Sequence, residues 1–159
     1  MAIRLDSAAR YVCEQSDWRI SNLSLQKILY LAQLEFMGEH DGARLTDTGF
    51  EAWDYGPVSP NLYHKIKIFG ASPVEDVFFD ALNLREESPR RRALQETCDM
   101  YLNLPPGELV EMTHWDFGAW ALNYEPGVKN IPISDRDILS EFHNRERFKE
   151  AWEQIAPAY

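Results

Sequence analysis

The sequence predicts a mainly α domain of the α+β class: a compact helical body with a small antiparallel β hairpin or sheet after the second helix. Three observations predict it. Apolar residues recur at three- and four-residue steps in several segments that begin with helix-capping residues. Only Leu45 to Tyr55 concentrates β-favouring residues next to turn signals. No repeat, low-complexity tract or long linker divides the 159 residues, so residues 1–159 read as a single domain.

The elements follow in order. Asp6 to Gln15 reads as a first helix, with Leu5, Ala8, Ala9, Val12 and Cys13 on its apolar face. Ser21 or Asn22 caps a second helix that runs to about Met37. Leu25, Ile28, Leu29, Ala32 and Phe36 form one face, and Leu31 and Leu34 lie off it. A helix apolar on more than one side belongs at the centre of a core. Gly38 is a natural stop. In the β region, Thr46, Thr48, Phe50, Trp53 and Tyr55 favour extended backbone, with a turn expected at Asp47-Thr48-Gly49.

Ser59 to Phe69 reads as the third helix, with Ser59 as N-cap, Pro60 at the first position and Gly70 closing it. Val74 to Leu84 fits either a short helix or irregular chain. Ser88-Pro89 starts another helix by the same cap logic, faced by Leu94, Cys98 and Tyr101. Glu108 to Met112 forms a short one. Ser134-Asp135-Arg136-Asp137 resembles a capping box for the last helix, with Ile138, Phe142, Phe148, Trp152 and Ile155 facing inward.

The densest stretch is Glu51 to Tyr63, which holds three large aromatics, a Gly-Pro break and a helix start. Gly56 frees the backbone, and Pro57 fixes the following φ near −65°. The order Leu25-Gln26-Lys27-Ile28-Leu29-Tyr30-Leu31-Ala32-Gln33, then Glu51-Ala52-Trp53, Tyr55-Gly56-Pro57-Val58 and Leu62-Tyr63, resembles the Panacea domain family of SocA-like, phage-associated antitoxins. A weaker echo follows at Thr113-His114 and Trp120. The resemblance implies a bacterial or prophage-borne antitoxin that neutralises a cognate protein toxin by direct binding. A related mechanism is delivery of the bound toxin to a cellular ATP-dependent protease.

Composition bounds the alternatives. The net charge is −10, with 45% hydrophobic and 26% charged residues. An acidic body repels phosphate backbones, which argues against nucleic acid as a partner. No apolar run approaches the roughly 20 residues that cross a bilayer. The first residues lack a signal-peptide core, so a cytoplasmic protein is expected. Cys13 and Cys98 sit at apolar positions outside any CxxC pair and read as buried thiols, although spacing alone leaves a disulfide open.

No catalytic constellation is found. His40, His64, His114 and His143 lack metal-ligand spacing, so neither metal nor cofactor is expected. No G-x-S-x-G elbow or glycine-rich phosphate loop occurs. Asp47, Glu51 and Asp54 crowd the hairpin, and a small enzyme built on them is one alternative. A DNA-binding regulator is the other, although the second helix is too apolar to offer a recognition face, with Gln26, Lys27 and Gln33 its main polar candidates. The function expected is binding without chemistry. The candidate partner-binding residues are Trp53, Tyr55, Gly56, Pro57 and Tyr63, because Tyr and Trp dominate interface hot spots. Trp53 is expected to be mainly structural, with Tyr55 and Tyr63 nearer the surface. Arg90, Arg91 and Arg92 are added as a possible interface anchor or a salt-bridged face beside Glu86 and Glu87.

Overall fold

A computed structural model of the chain describes residues 1–155, and side-chain surroundings as far as Ala151. The elements, in order, are α1 (Leu5–Gln15), α2 (Asn22–Glu39), β1 (Phe50–Trp53), β2 (Gly56–Val58), α3 (Pro60–Ile66), a 3₁₀ turn (Lys67–Phe69), α4 (Pro89–Tyr101), α5 (Pro106–Thr113), α6 (Ala119–Asn123), β3 (Pro132–Ile133) and α7 (Asp135–Ile155). The strands form one antiparallel sheet in the order β2-β1-β3. The fold is therefore α+β, mainly helical, as expected.

Helix α2 is the axis. Ser21 caps it, its Oγ accepting from Ser24 N at 3.3 Å. Thirteen of its 18 residues are buried, Leu31 and Leu34 among them, so no face is left for solvent. Helices α1, α3, α4, α5 and α7 and strand β2 all pack on it. The expected stop at Gly38 is corrected: the helix runs on to Glu39. Gly38 is needed for packing, because a Cβ there would meet the ring of Phe142 on α7 at 2.2 Å. The stop is made by Asp41 and Gly42, at φ 52° and 84°, with Gly42 N donating to Met37 O at 2.8 Å.

The hairpin turn is also displaced. Asp47-Thr48-Gly49 does not reverse the chain between paired strands; Asp54-Tyr55 does, with Trp53 opposite Gly56. Thr46 instead forms a parallel bridge with Ile3. Gln33 from α2 holds this segment, its Oε1 accepting from Leu45 N at 2.9 Å and Thr46 N at 3.1 Å. Ser59 takes the N-cap position of α3, but its side chain makes no cap bond. Residues 71–87 are irregular, pinned by buried Val74 and Phe78.

Helix α4 begins as expected, Ser88 Oγ accepting from Arg91 N. Cys13 and Cys98 are free and buried, and burial pushes both thiols up to about 12. Helix α6 and strand β3 were not expected; both are too short to show a period. Ser134 Oγ accepts from Asp137 N at 3.1 Å, which is half a capping box. The Asp137 carboxylate turns instead to Asn123 Nδ2, at 3.0 Å. Ile138 is buried, whereas Phe148 is 50% exposed, contrary to expectation, and clusters with Trp115 and Phe117. The side chains of Trp152 and Ile155 lie outside the described residues.

One buried carboxylate joins the remote elements. Glu141 on α7 accepts from Tyr30 OH (2.7 Å) and Ala119 N (2.9 Å), and pairs with Arg145 at 2.7 Å. Arg145 also donates to Met112 O at 2.6 Å. Burial first, and the Glu141 charge second, hold the Tyr30 phenol well above its ordinary pKa, so it stays a donor. Glu141→Ala should cost about 3–5 kcal/mol, as breaking a buried ion pair does. Urea unfolding measures this, and a loss below about 1 kcal/mol, the scale of an exposed pair, would show the network idle.

Candidate partner-binding site at the hairpin

The hairpin is built so that α2 closes its open edge. Ala52 N donates to Ile131 O at 2.9 Å, on the β3 side. Ala52 and Pro57 are therefore a pair without mutual hydrogen bonds, and the backbone of Pro57 faces outward. An N–H there would have had no strand to meet, so proline loses nothing. Its outward carbonyl accepts from Lys27 Nζ at 3.1 Å. One step along, the Gln26 amide brackets Ser59: Ser59 N donates to Oε1 at 2.8 Å, and Nε2 donates to Ser59 O at 3.4 Å. Side chains of a helix thus occupy the place of a fourth strand.

Lys27 is fully buried, and desolvation lowers its pKa to about 7. Its stem lies against the turn. Gly56 has φ 109°, the left-handed position that follows a tight turn. A Cβ on it would come within 2.9 Å of Lys27 Cε and 3.1 Å of Thr113 Oγ1. Both backbone and space therefore require glycine.

Behind the turn stands a column of rings. His114 stacks on Trp120 (3.8 Å, 6°), and Trp120 stacks on Tyr124 (4.5 Å, 18°). Trp120 Nε1 donates to Trp53 O at 2.7 Å, and Tyr124 OH donates to Asp54 Oδ1 at 2.6 Å. Burial and then the Lys27 charge lower the His114 pKa, opposed by its hydrogen bond with the Tyr55 backbone. In front, Trp53 is half-buried and meets Tyr63 edge-on at 4.7 Å. Its Nε1 donates to Glu51 Oε1 at 3.0 Å. Tyr55 is 69% exposed. Grooves of about 460 and 300 Å³ run on either side of Trp53.

The structure brings Trp53, Tyr55 and Tyr63 onto one surface. Trp53 is more open than its expected core role, though its backbone is anchored. Gly56 and Pro57 belong to the same hairpin but are buried. The arginines are elsewhere, on α4, which packs on α1 and α2. Arg90 donates to Arg44 O at 2.9 Å and covers the Phe36 ring; Arg91 covers Tyr11. The expected ion pairs with Glu86 and Glu87 do not form among the described residues, where Arg92 is exposed. Sequence reasoning missed Lys27, Trp120 and Tyr124 as parts of the site. The signals for two of them were present, a lysine inside an apolar helix and the echo at Thr113-His114 and Trp120.

Gln26, Lys27 and Gln33, considered above as a DNA-reading face, are all buried. No group of three or more His, Cys, Asp or Glu is placed to hold a metal among the described residues. No described helix is long and apolar enough to cross a membrane.

The architecture is a helical domain that fixes an aromatic hairpin against its central helix. The family model for SocA-like antitoxins with a Panacea domain matches residues 25–121, the span from α2 through the Trp120 column, and the chain belongs to that family. It is 27% identical over 150 residues to Antitoxin SocA of Caulobacter vibrioides (strain NA1000 / CB15N), covering 89% of this chain and 79% of that protein. No solved structure matches the chain.

Gly56→Val should cost about 2–4 kcal/mol, combining a β-branched residue at positive φ with overpacking against Lys27. An unchanged melting temperature would show that the turn relaxes freely. Lys27 gives a pH signature. Its folded pKa of about 7 lies below the ordinary lysine value near 10.4, so between these limits the unfolded state holds more protons. Its contribution is unfavourable below pH 7 and becomes less so as pH rises toward 10. Unfolding free energy of the wild type minus that of Lys27→Met should therefore rise from pH 6 to pH 9; a flat difference contradicts the buried-amine reading.

Proposed function

We propose that this protein is an antitoxin that neutralises a cognate toxin protein by direct binding, using the hairpin face formed by Trp53, Tyr55 and Tyr63. The observation that carries the reading is the contrast between front and back of the hairpin. Behind it, the Pro57 and Trp53 carbonyls, the Ser59 amide and the Asp54 carboxylate are matched by α2 or by the Trp120 column. In front, Tyr55 projects at 69% exposure beside two half-buried rings. Rigid, partly desolvated Trp and Tyr side chains are the usual anchors of protein interfaces. Membership in an antitoxin family supplies the class of partner. The reading needs no reaction, only a stoichiometric complex.

Coexpression with a toxin encoded beside it should restore growth, and the two proteins should co-purify. Tyr55→Ala should weaken the complex by about 1–4 kcal/mol while leaving the melting temperature near wild type. Tyr63→Ala should lower both affinity and stability, because Tyr63 also packs on Trp53. Rescue without a detectable complex sinks the binding mechanism. Blocking and delivery to an ATP-dependent protease use the same contact and differ in toxin level: a blocked toxin persists, whereas a delivered one disappears in a protease-dependent way.

A further inference from the structure

We infer that the groove beside the touching Trp53 and Tyr63 rings receives an arginine side chain of the partner protein, its guanidinium stacked on an exposed ring face and paired with Asp54. The inference rests on the hairpin face being the partner surface, and it adds the chemistry of what that surface holds.

The groove is about 460 Å³; Leu23, Trp53, Val58 and Tyr63 give it apolar lining, and Asp54, Tyr55, Gln26 and Lys27 also line it. Its walls suit the three-carbon stem of an arginine, which packs like an apolar chain. Its rings suit the planar head, since guanidinium groups stack on Trp and Tyr faces. This protein uses that contact three times within itself, at Arg90 on Phe36, Arg91 on Tyr11 and Arg145 on Trp115. Trp53, Tyr55 and Tyr63 carry no such cation among the described residues.

The acids at the hairpin are equally unmatched. Among the described residues no lysine or arginine reaches ion-pair distance of Asp54 or Glu51, although Asp6, Asp17, Asp76 and Asp135 each have one. Asp54 is exposed; its Oδ1 is taken by Tyr124 OH, and its Oδ2 has no hydrogen-bond partner among the described residues. Lys27 approaches the groove from beneath, but its amine is directed to Pro57 O. Burial keeps that amine close to half-neutral at pH 7, which weakens its repulsion of an incoming cation. An acidic anchor would meet Asp54 as a like charge. A purely apolar knob would desolvate Asp54 Oδ2 and leave the carboxylate with Tyr124 OH alone and no counter-charge, which is costly. The net charge of −10 draws basic surfaces in the same sense.

The test titrates the full-length protein with three capped peptides of equal length and apolar flanks, carrying a central arginine, glutamate or norleucine, at low and high salt. The arginine peptide should shift the NMR signals of Trp53, Tyr55 and Tyr63 at millimolar concentration. It should bind at least tenfold tighter than the other two and weaken with salt. Asp54→Lys should abolish the preference and Asp54→Asn should reduce it, with melting temperatures confirming that both variants fold. Equal binding of the three peptides, tighter binding of the glutamate or norleucine peptide, or no shift of the three aromatics overturns the inference. Co-purification with the toxin separates this from failure of the site itself. If Tyr55→Ala breaks the complex while folded Asp54→Lys leaves it intact, the hairpin face stands and the arginine assignment falls. If neither variant matters, the face itself is wrong.

Discussion

The fold depends on a central helix that spends its polar side chains on other segments' backbones. Gln26, Lys27 and Gln33 lie on a helix buried all round, where apolar residues would cost less to desolvate. Each repays that cost at a place where the chain has no ladder. Gln33 receives two amides of the Leu45-Thr46 segment, Lys27 meets the outward carbonyl of Pro57, and Gln26 closes the strand end at Ser59. A buried backbone group without a partner costs about 1–3 kcal/mol, so Gln26 and Lys27 decide whether a hairpin of seven strand residues holds its place, while Gln33 holds the segment that leads into it. A hairpin that short is not stable alone in water. Here it becomes a rigid part of the domain because the helix substitutes for the neighbouring strand.

A second node secures the side of the molecule farther along the chain. Glu141 gathers Tyr30, Ala119 and Arg145, tying α2, α6 and α7 through one carboxylate, and Arg145 extends the tie to the end of α5. This positions α6, and α6 carries Trp120, whose indole grips the Trp53 carbonyl. The hairpin is therefore clamped from two directions that share α2 as their base. One clamp is a set of amides and an amine on the helix itself. The other is a ring column held in register by a buried ion pair. Arg145 also lies over Trp115, so the ion pair is backed by an aromatic face on its open side.

Much of this was legible in the sequence. The caps at Ser21 and Ser88, the all-round apolar character of α2 and the position of the β region follow from periodicity and turn chemistry. The errors have one physical origin, which is that close approach over long sequence distance leaves no local mark. Gly38 reads as a stop because glycine usually ends helices, yet Phe142, more than a hundred residues later, is what requires it. Gly56-Pro57 reads as a turn because that dipeptide breaks chains. Its glycine does follow the turn at positive φ, but the proline is strand, tolerated because its outward position needs no donor. Phe148 fits an inward period but lies on a part of α7 that forms a surface aromatic cluster. The arginine run looked like one feature; the helix splays it across Phe36, Tyr11 and solvent. Strand β3 and helix α6 have too few residues for any period to register.

The division of labour within the hairpin is between its backbone and its side chains. Gly56, opposite Trp53, comes close to Lys27 and Thr113, and the outward carbonyl of Pro57 accepts from Lys27. Trp53, Tyr55 and Tyr63 carry the exposed area. Two residues cross this division. The Trp53 carbonyl is held by Trp120 and its ring by Glu51 and Tyr63, and Asp54 is fixed by Tyr124 through one oxygen. Under the proposed function these bonds set both side chains before binding. That lowers the ordering cost of forming an interface, the general advantage of a preorganised anchor. The buried amine of Lys27 is then the cost the core bears for a strand edge that presents proline, and with it a turn that only glycine can complete.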